Sequence, residues 1–401
     1  MKRNLLKALS YITIAALVTS LTGCDTKKPK DENVDLTLEV ALYQYVPDMT
    51  RFQEVVRNVW EREHPGAELH FVDWDCYVSA PDKTLDVFVF DGIYLTSFAE
   101  KGLLLQIPSD KIQSKEGYIP FALEGCTCGE DFYALPQLLC TDLLYTRKSD
   151  SALSGISDTA ALYDILGSRK NDSIIPDENE GLLINLSDEL FTKTMMYLDA
   201  LMDERGEYTD YGELPDISNI SDEVLGRINE IWEMGGEEQV RYWPEDNDAF
   251  IRARWFADGK GRAYIGYSEA MSAMGDYADD VDVRIFSYGS EKNIPLFYTD
   301  MVGISSEIDE NKKELAFELA NVLTCEEVLT GINTPAKESG TPQYLLVSRG
   351  SVYDALSEDY PIYGLLGEIA CSADNRVFRM GGEAGQYVTD MEKALADHSP
   401  F

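Results

Sequence analysis

Two hydrophobic periods alternate along the chain from residue 36 onward. Leu36 to Leu42 alternates apolar and polar positions as a strand does, and runs straight into Tyr43-Gln44-Tyr45. Asp48 then precedes Phe52, Val55, Val56, Val59 and Trp60, whose spacing places them on one face of a helix. Glu68 to Trp74 reads as a second strand. Asp86 to Phe90 reads as a short, fully buried third, closed by Asp91-Gly92. The carboxyl end of such a strand is where an α/β fold presents a ligand crevice. Helices are expected around Asp158–Leu166, Asp188–Met202 and Asn311–Thr324, and strands over Arg262–Tyr267 and Met301–Ser305. The acidic, Gly-, Pro- and Ser-punctuated stretch Asp203–Asp222 is expected to be a surface insertion. Strand and helix signals in alternation predict an α/β fold, and no internal repeat is present.

The first residues follow a different pattern. Met1-Lys2-Arg3-Asn4 and the apolar run Leu5–Thr22 form an export signal, ending in Leu21-Thr22-Gly23-Cys24. That ending resembles a bacterial lipoprotein lipobox, which implies cleavage after residue 23 and a lipid on Cys24. Residues 24–35 are then a polar, flexible tether. No later run of about 18 apolar residues exists, so no further membrane span is expected. The mature protein is expected outside the cytoplasmic membrane, held there by lipid or released.

Charge narrows the partners. The 401 residues carry 34 Lys+Arg against 72 Asp+Glu, a formal net charge of -38. Loss of Lys2, Arg3 and Lys7 with the signal takes this to -41. Nucleic acid is excluded as a partner, because phosphate binding needs clustered Lys and Arg. Solubility accounts for most of these carboxylates, and a cationic ligand is compatible with the rest. With seven cysteines, three histidines and a single close pair, Cys126/Cys128, a zinc site is disfavoured and no metal is expected. The close pair reads as ordinary thiols near a turn.

The common catalytic signatures are missing: no His-Glu-x-x-His, no phosphate loop, no Gly-x-Ser-x-Gly elbow. His64, His70 and His398 are poorly placed for a general base, so cysteine chemistry would need a carboxylate instead. Cys140 follows the Pro-containing segment Ala134-Leu135-Pro136; on spacing alone it reads as a small buried residue. Glu269 at a strand end reads as a capping or hinge carboxylate. Tyr43, Tyr45, Tyr77, Tyr267 and Tyr298, with Asp91 and Asp300, follow or end strands. Together they describe a cleft of aromatic faces and carboxylates suited to a flat cationic heteroaromatic ligand.

The element order, with Tyr133-Ala134-Leu135-Pro136 at its middle, resembles extracellular solute-binding proteins of bacterial importers. More specifically, Leu135–Thr141, Tyr264–Met271 and Phe297–Asp300 closely resemble segments of the thiaminase I (thiamine pyridinylase) family. Ala41–Pro47 and Trp74–Tyr77 are similar too. The resemblance implies a two-lobed, type II periplasmic-binding-protein-like fold with crossing hinge segments and a ligand cleft. Residues 36–142 plus about 301–345 would form one lobe, and about 143–300 plus 346–401 the other. It implies Cys140 as nucleophile and Glu269 as its base. Tyr43, Tyr45, Tyr77, Asp91, Tyr267, Tyr298 and Asp300 would contact substrate. It further implies a monomer without a cofactor that exchanges the thiazole of thiamine for a pyridine, aromatic amine or thiol. The alternative is a lipoprotein that binds thiamine or another solute for an importer, with Cys140 inert.

Overall fold

The computed structural model describes residues 36–187, 192–289, 292–337 and 340–396. The expected signal (1–23), the lipidation site Cys24 and the tether (24–35) lie outside them. From the first strand the chain runs β1 (Leu38–Ala41), α1 (Met49–Glu63), β2 (Leu69–Phe71), β3 (Val87–Asp91), α2 (Leu95–Glu100) and α3 (Pro120–Gly125). A small hairpin, β4 (Thr127–Cys128) and β5 (Asp131–Phe132), leads to β6 (Ala134–Cys140) and β7 (Leu143–Arg147). Next come α4 (Thr159–Leu166), β8 (Glu178–Leu183), α5 (Thr192–Arg205), α6 (Asp222–Gly235), α7 (Glu237–Arg241), α8 (Ile251–Ala257) and β9 (Gly261–Gly266). After two 3-10 turns, β10 (Val281–Ile285), β11 (Leu296–Ile304), α9 (Lys313–Leu323) and α10 (Glu326–Asn333) follow. The chain closes with β12 (Leu346–Val347), α11 (Gly350–Ser357), α12 (Ile362–Ala370), β13 (Arg376–Val377) and α13 (Ala384–Ala396).

The strands form two main sheets. The larger has the order β12-β6-β11-β3-β1-β2, with β13 also on β11; the smaller has the order β10-β7-β9-β8. In the larger sheet β1 is parallel to β2 and β3, while β11 runs antiparallel between β3 and β6. The helix stripe read from the sequence is the buried face of α1, and the Asp48 side chain caps that helix by accepting from Arg51 N–H. Consecutive strands β6 and β7 belong to different sheets, so the chain crosses between the two lobes at Thr141–Asp142.

Two boundaries differ from the sequence expectation. Residues 346–401 do not simply join the second lobe: β12 pairs with β6, α11 and α12 pack beside α10 and β12, and β13 pairs with β11. β11 also begins at Leu296, inside the range expected for the second lobe. Two-residue strands such as β12 and β13 show no alternation, so periodicity cannot assign them. The 203–222 stretch is also not all surface, since Asp203 and Tyr211 are buried within it. Cys126 and Cys128 are free thiols at the β4–β5 hairpin, as read.

Candidate active site

The hinge places Cys140. β6 is fixed between its neighbours by Gln137, whose side-chain NH2 donates to Leu323 O (2.7 Å), and by Ser348 Oγ, which donates to Pro136 O (2.7 Å). Pro136 supplies no N–H to the ladder, and the β6–β11 register shifts there, pairing Met301 with Pro136 but Asp300 with Leu138. Beyond this bulge Tyr298 lies directly opposite Cys140. Residues two apart share a face of a strand, so Tyr298 and Asp300 project on the side where Cys140 projects. Asp300 in turn lies opposite Asp91 at the end of β3. Gly92 is needed at that end, because a Cβ there would sit 2.8 Å from Thr299 O.

The second sheet places Glu269. β7 and β9 pair antiparallel with Leu143 opposite Gly266, and Glu269 follows on the 3-10 turn Ser268–Ala273, where its charge acts on Cys140. Arg147 ties β7 to the start of β9 and the end of α8 by donating to the carbonyls of Gly261, Phe256, Lys260 and Arg262. The Tyr145 hydroxyl donates to Tyr267 O (2.9 Å), and Ser272 Oγ donates to Glu269 O (2.6 Å). These bonds hold the segment that carries Glu269 against the hinge.

Electrostatics at the thiol are one-sided. Cys140 Sγ lies 4.0 Å from Asp300 Oδ2. Burial, then the charges of Asp300, Glu269, Asp91 and Asp142, hold the Cys140 thiol well above its ordinary pKa. Burial pushes the Glu269 carboxyl up to about 7, with Asp142 adding a smaller push. Asp142 itself is raised by burial to about 6, and the Tyr288 hydroxyl partly offsets that. Asp300 is raised by burial and by Asp91 and Glu269, and Asp91 by burial. A buried thiol ringed by carboxylates rests protonated, unlike a cysteine activated by neighbouring cations.

The tyrosines divide into two groups. Tyr77 donates to Asp91 Oδ2 (2.6 Å) and meets the Tyr43 hydroxyl at 3.3 Å, while Tyr43 hydrogen-bonds toward Asp300. The second Asp91 oxygen accepts from Ile93 N–H (3.0 Å). Tyr45 contacts the rings of Tyr43 and Tyr77 but is 48% exposed, with its hydroxyl on Asp75, and so forms a rim. Tyr267 and Tyr298 form the second group, influenced chiefly by Asp142 for Tyr267 and by Asp199 and Asp142 for Tyr298. Eight of the nine cleft residues singled out by sequence thus gather around the hinge, with Tyr45 left at the rim. Asp142, Asp199 and Tyr288 join them without having been picked out. Asp142 lies within two residues of Cys140 and so was reachable, whereas Asp199 reads as one more acidic position in α5.

A protein from Paenibacillus thiaminolyticus named Thiaminase-1 is 43% identical over 367 residues, spanning 92% of this chain and 89% of that one. The chain belongs to the thiaminase I family. The family model for the Thiaminase-1 domain matches residues 141–289, which include Asp142, Asp199, Tyr267 and Glu269. The structure of Clostridium botulinum thiaminase I in complex with thiamin is 44% identical and superposes with a TM-score of 0.88, covering 90% of this chain and 99% of that one. A maltose-bound T. maritima protein, MalE3, shares the fold at 16% identity and a TM-score of 0.63, covering 90% of this chain and 98% of that one. The thiaminase I fold is therefore the two-lobed, type II periplasmic-binding-protein-like architecture expected from the sequence.

Proposed function

We propose that this protein is a thiamine-degrading transferase, a thiamine pyridinylase, in which Cys140 is the nucleophile and Glu269 its general base. The observation that carries the reading is the Cys140 thiol at the crossing between two sheets, acted on by the charge of Glu269, a buried carboxyl poised near neutral pH. Cys140 attacks the electron-poor pyrimidine of thiamine as Glu269 takes the thiol proton. Asp91 and Asp300 hold the ring nitrogen and amino group, and Tyr43 and Tyr77 line the same face. The neutral thiazole leaves from the methylene bridge. An external pyridine, aromatic amine or thiol then bonds to the methylene carbon, and the cysteine is released.

Substrate charge favours this cycle. Thiamine carries a permanent positive charge, and the groups that act most strongly on Cys140 are all carboxylates. A cation among them favours thiolate formation by the same electrostatics that suppress it in the empty cleft. No redox or other cofactor enters the scheme. Export on the Cys24 lipid anchor suits an enzyme that meets thiamine outside the cell.

Incubation with thiamine and aniline, followed by mass spectrometry, tests the reading. Base-exchanged pyrimidine is the expected product. Cys140→Ser is expected to lose at least about a thousandfold in kcat, and Glu269→Gln roughly 10²–10⁴-fold. Glu269 acts as a base only when ionised, so kcat/KM for thiamine rises with pH and levels off above about 7. That limb disappears in Glu269→Gln. Tight thiamine binding without turnover would overturn the enzyme reading in favour of a solute-binding protein.

A further inference from the structure

A second cavity, of about 540 Å³, opens between α5, the 206–221 connection and the start of α6, away from Cys140 and Glu269. Its volume is that of a small-molecule site. Helix α5 lines it with Tyr197, Leu201 and Arg205, which are four residues apart and so share one stripe. Tyr197 is 2% exposed; its hydroxyl oxygen accepts from Ser221 N–H (2.8 Å), and its own proton has no acceptor among the described residues. The side chains of Arg205, Glu213 and Glu223 line the same space and have no ion pair or hydrogen bond among the described residues. The other two carboxylates on the wall are engaged, Glu204 with Arg227 (3.1 Å) and Asp216 with Ser218 N–H (2.9 Å). One guanidinium and one hydroxyl donor thus face two free carboxylates across the apolar Leu201. A molecule with one carboxylate, two ammonium groups and a methylene chain matches that set group for group.

The cavity is joined to the reaction cleft by packed rings. Tyr211, on the cavity wall, is 2% exposed and donates to Leu198 O (2.6 Å), while its own carbonyl accepts from Gly381 N–H (2.9 Å). Its φ of +46° is a left-handed conformation that a bulky residue adopts only when its surroundings hold it there. The Tyr211 ring packs on Phe378 (centroids 6.0 Å apart), and Phe378 packs on Tyr298 (5.0 Å), which lies opposite Cys140 on β11. Phe378 N–H also donates to Phe297 O (2.8 Å), so this ring is fixed to β11 itself. We propose that the cavity behind α5 is a second binding site, selective for a basic α-amino acid of the lysine type, and that its occupancy is coupled to the cleft through Tyr211, Phe378 and Tyr298. The Arg205 guanidinium and the Tyr197 hydroxyl take the ligand carboxylate, and Glu213 and Glu223 take its two ammonium groups. A ligand packed against Tyr211 biases the row of rings, and with it the wall of the cleft opposite the thiol. Such coupling is reciprocal, so thiamine and the amino acid alter each other's affinity by one factor.

Isothermal titration of the Cys140→Ser variant, in which no exchange competes with binding, tests the site. L-Lysine is the probe; cadaverine lacks its carboxylate and norleucine its side-chain ammonium. Each of the two is expected to bind at least about tenfold more weakly than lysine. Adding Arg205→Gln should weaken lysine about tenfold and leave cadaverine unchanged. No binding of lysine, equal affinity for lysine and cadaverine, or an Arg205→Gln protein that binds lysine as before would each overturn the site. Saturating lysine is expected to shift the thiamine dissociation constant about fivefold, and thiamine to shift that of lysine equally. Phe378→Leu should keep both ligands and bring that factor to about one. A lysine affinity that falls without limit as thiamine rises would place lysine in the reaction cleft and overturn the cavity. Thiamine affinity unmoved by bound lysine would overturn the coupling. A protein that fails to exchange thiamine would overturn the enzyme reading alone, since lysine binding is measured without turnover.

Discussion

Asp203 and Asp199 leave α5 one turn apart and meet opposite surroundings. Asp203 is 1% exposed and fully used: it accepts from Ser287 Oγ (2.6 Å) and from the backbone N–H groups of Ile294 (2.7 Å), Tyr288 (3.0 Å) and Gly289 (3.4 Å). These bonds shape the turn that feeds β11, and with it the placement of Tyr298 and Asp300. Asp199 is buried almost as deeply and is given no donor at all. Burial raises both carboxyls, Asp203 to about 6 and Asp199 well above its ordinary value. A carboxylate that builds structure is met by donors at the moment of folding. A buried carboxylate left without donors lowers the stability of the folded protein.

The largest effect should come from the satisfied member of the pair. Asp203→Ala leaves several buried donors without an acceptor, and each such loss is costly, so a destabilisation of roughly 2–4 kcal/mol is expected. Urea or thermal unfolding measures it. A variant as stable as the wild type would mean that the turn is held by other contacts.

The smaller effect has the opposite sign. The folded-state pKa of Asp199 lies above its unfolded value of 3.8, so the folded protein binds more protons across the intervening pH range. Asp142 and Glu269, raised to about 6 and about 7, act in the same direction. These groups cost nothing below the ordinary carboxylate range, and their penalty grows as pH rises through their folded values. The ligand-free protein should therefore lose stability between about pH 4 and 7. Asp199→Asn should raise Tm at pH 7.5 by about 1–3 °C, with the gap closing toward pH 4. Differential scanning calorimetry across that range checks it, and a variant with a lower Tm at pH 7.5 would break the contrast.

The legible and illegible parts of the site separate along the same physical line. Strands β1 and β3 and helix α1 follow from local period, whereas the crossing near Cys140 is expected only through the resemblance to two-lobed binding proteins. Cys140 and Glu269 stood out through family-like motifs, since spacing alone favours a small buried cysteine and a capping carboxylate. Asp199 and Asp203 had no such signal. Acidic residues in a helix normally face solvent, and only the packing of α5 against α6 and α13, with Asp203 bonded to Ser287 and Ile294, reveals that these two do not. Tyr45 shows the converse: its position at a strand end suggested cleft contact, but its hydroxyl turns outward to Asp75.

Only Thr141 and Asp142 separate the last residue of β6 from the first of β7. The sulfur therefore rides on one sheet, and the Glu269 carboxyl, proposed as its base, on the 3-10 turn that follows a strand of the other. Any rotation of one lobe against the other about those two residues alters the gap between sulfur and carboxylate. Shape and reactivity are in this way a single variable, and a wedge or staple that fixed the interlobe angle would set the rate of sulfur chemistry without touching a reacting atom.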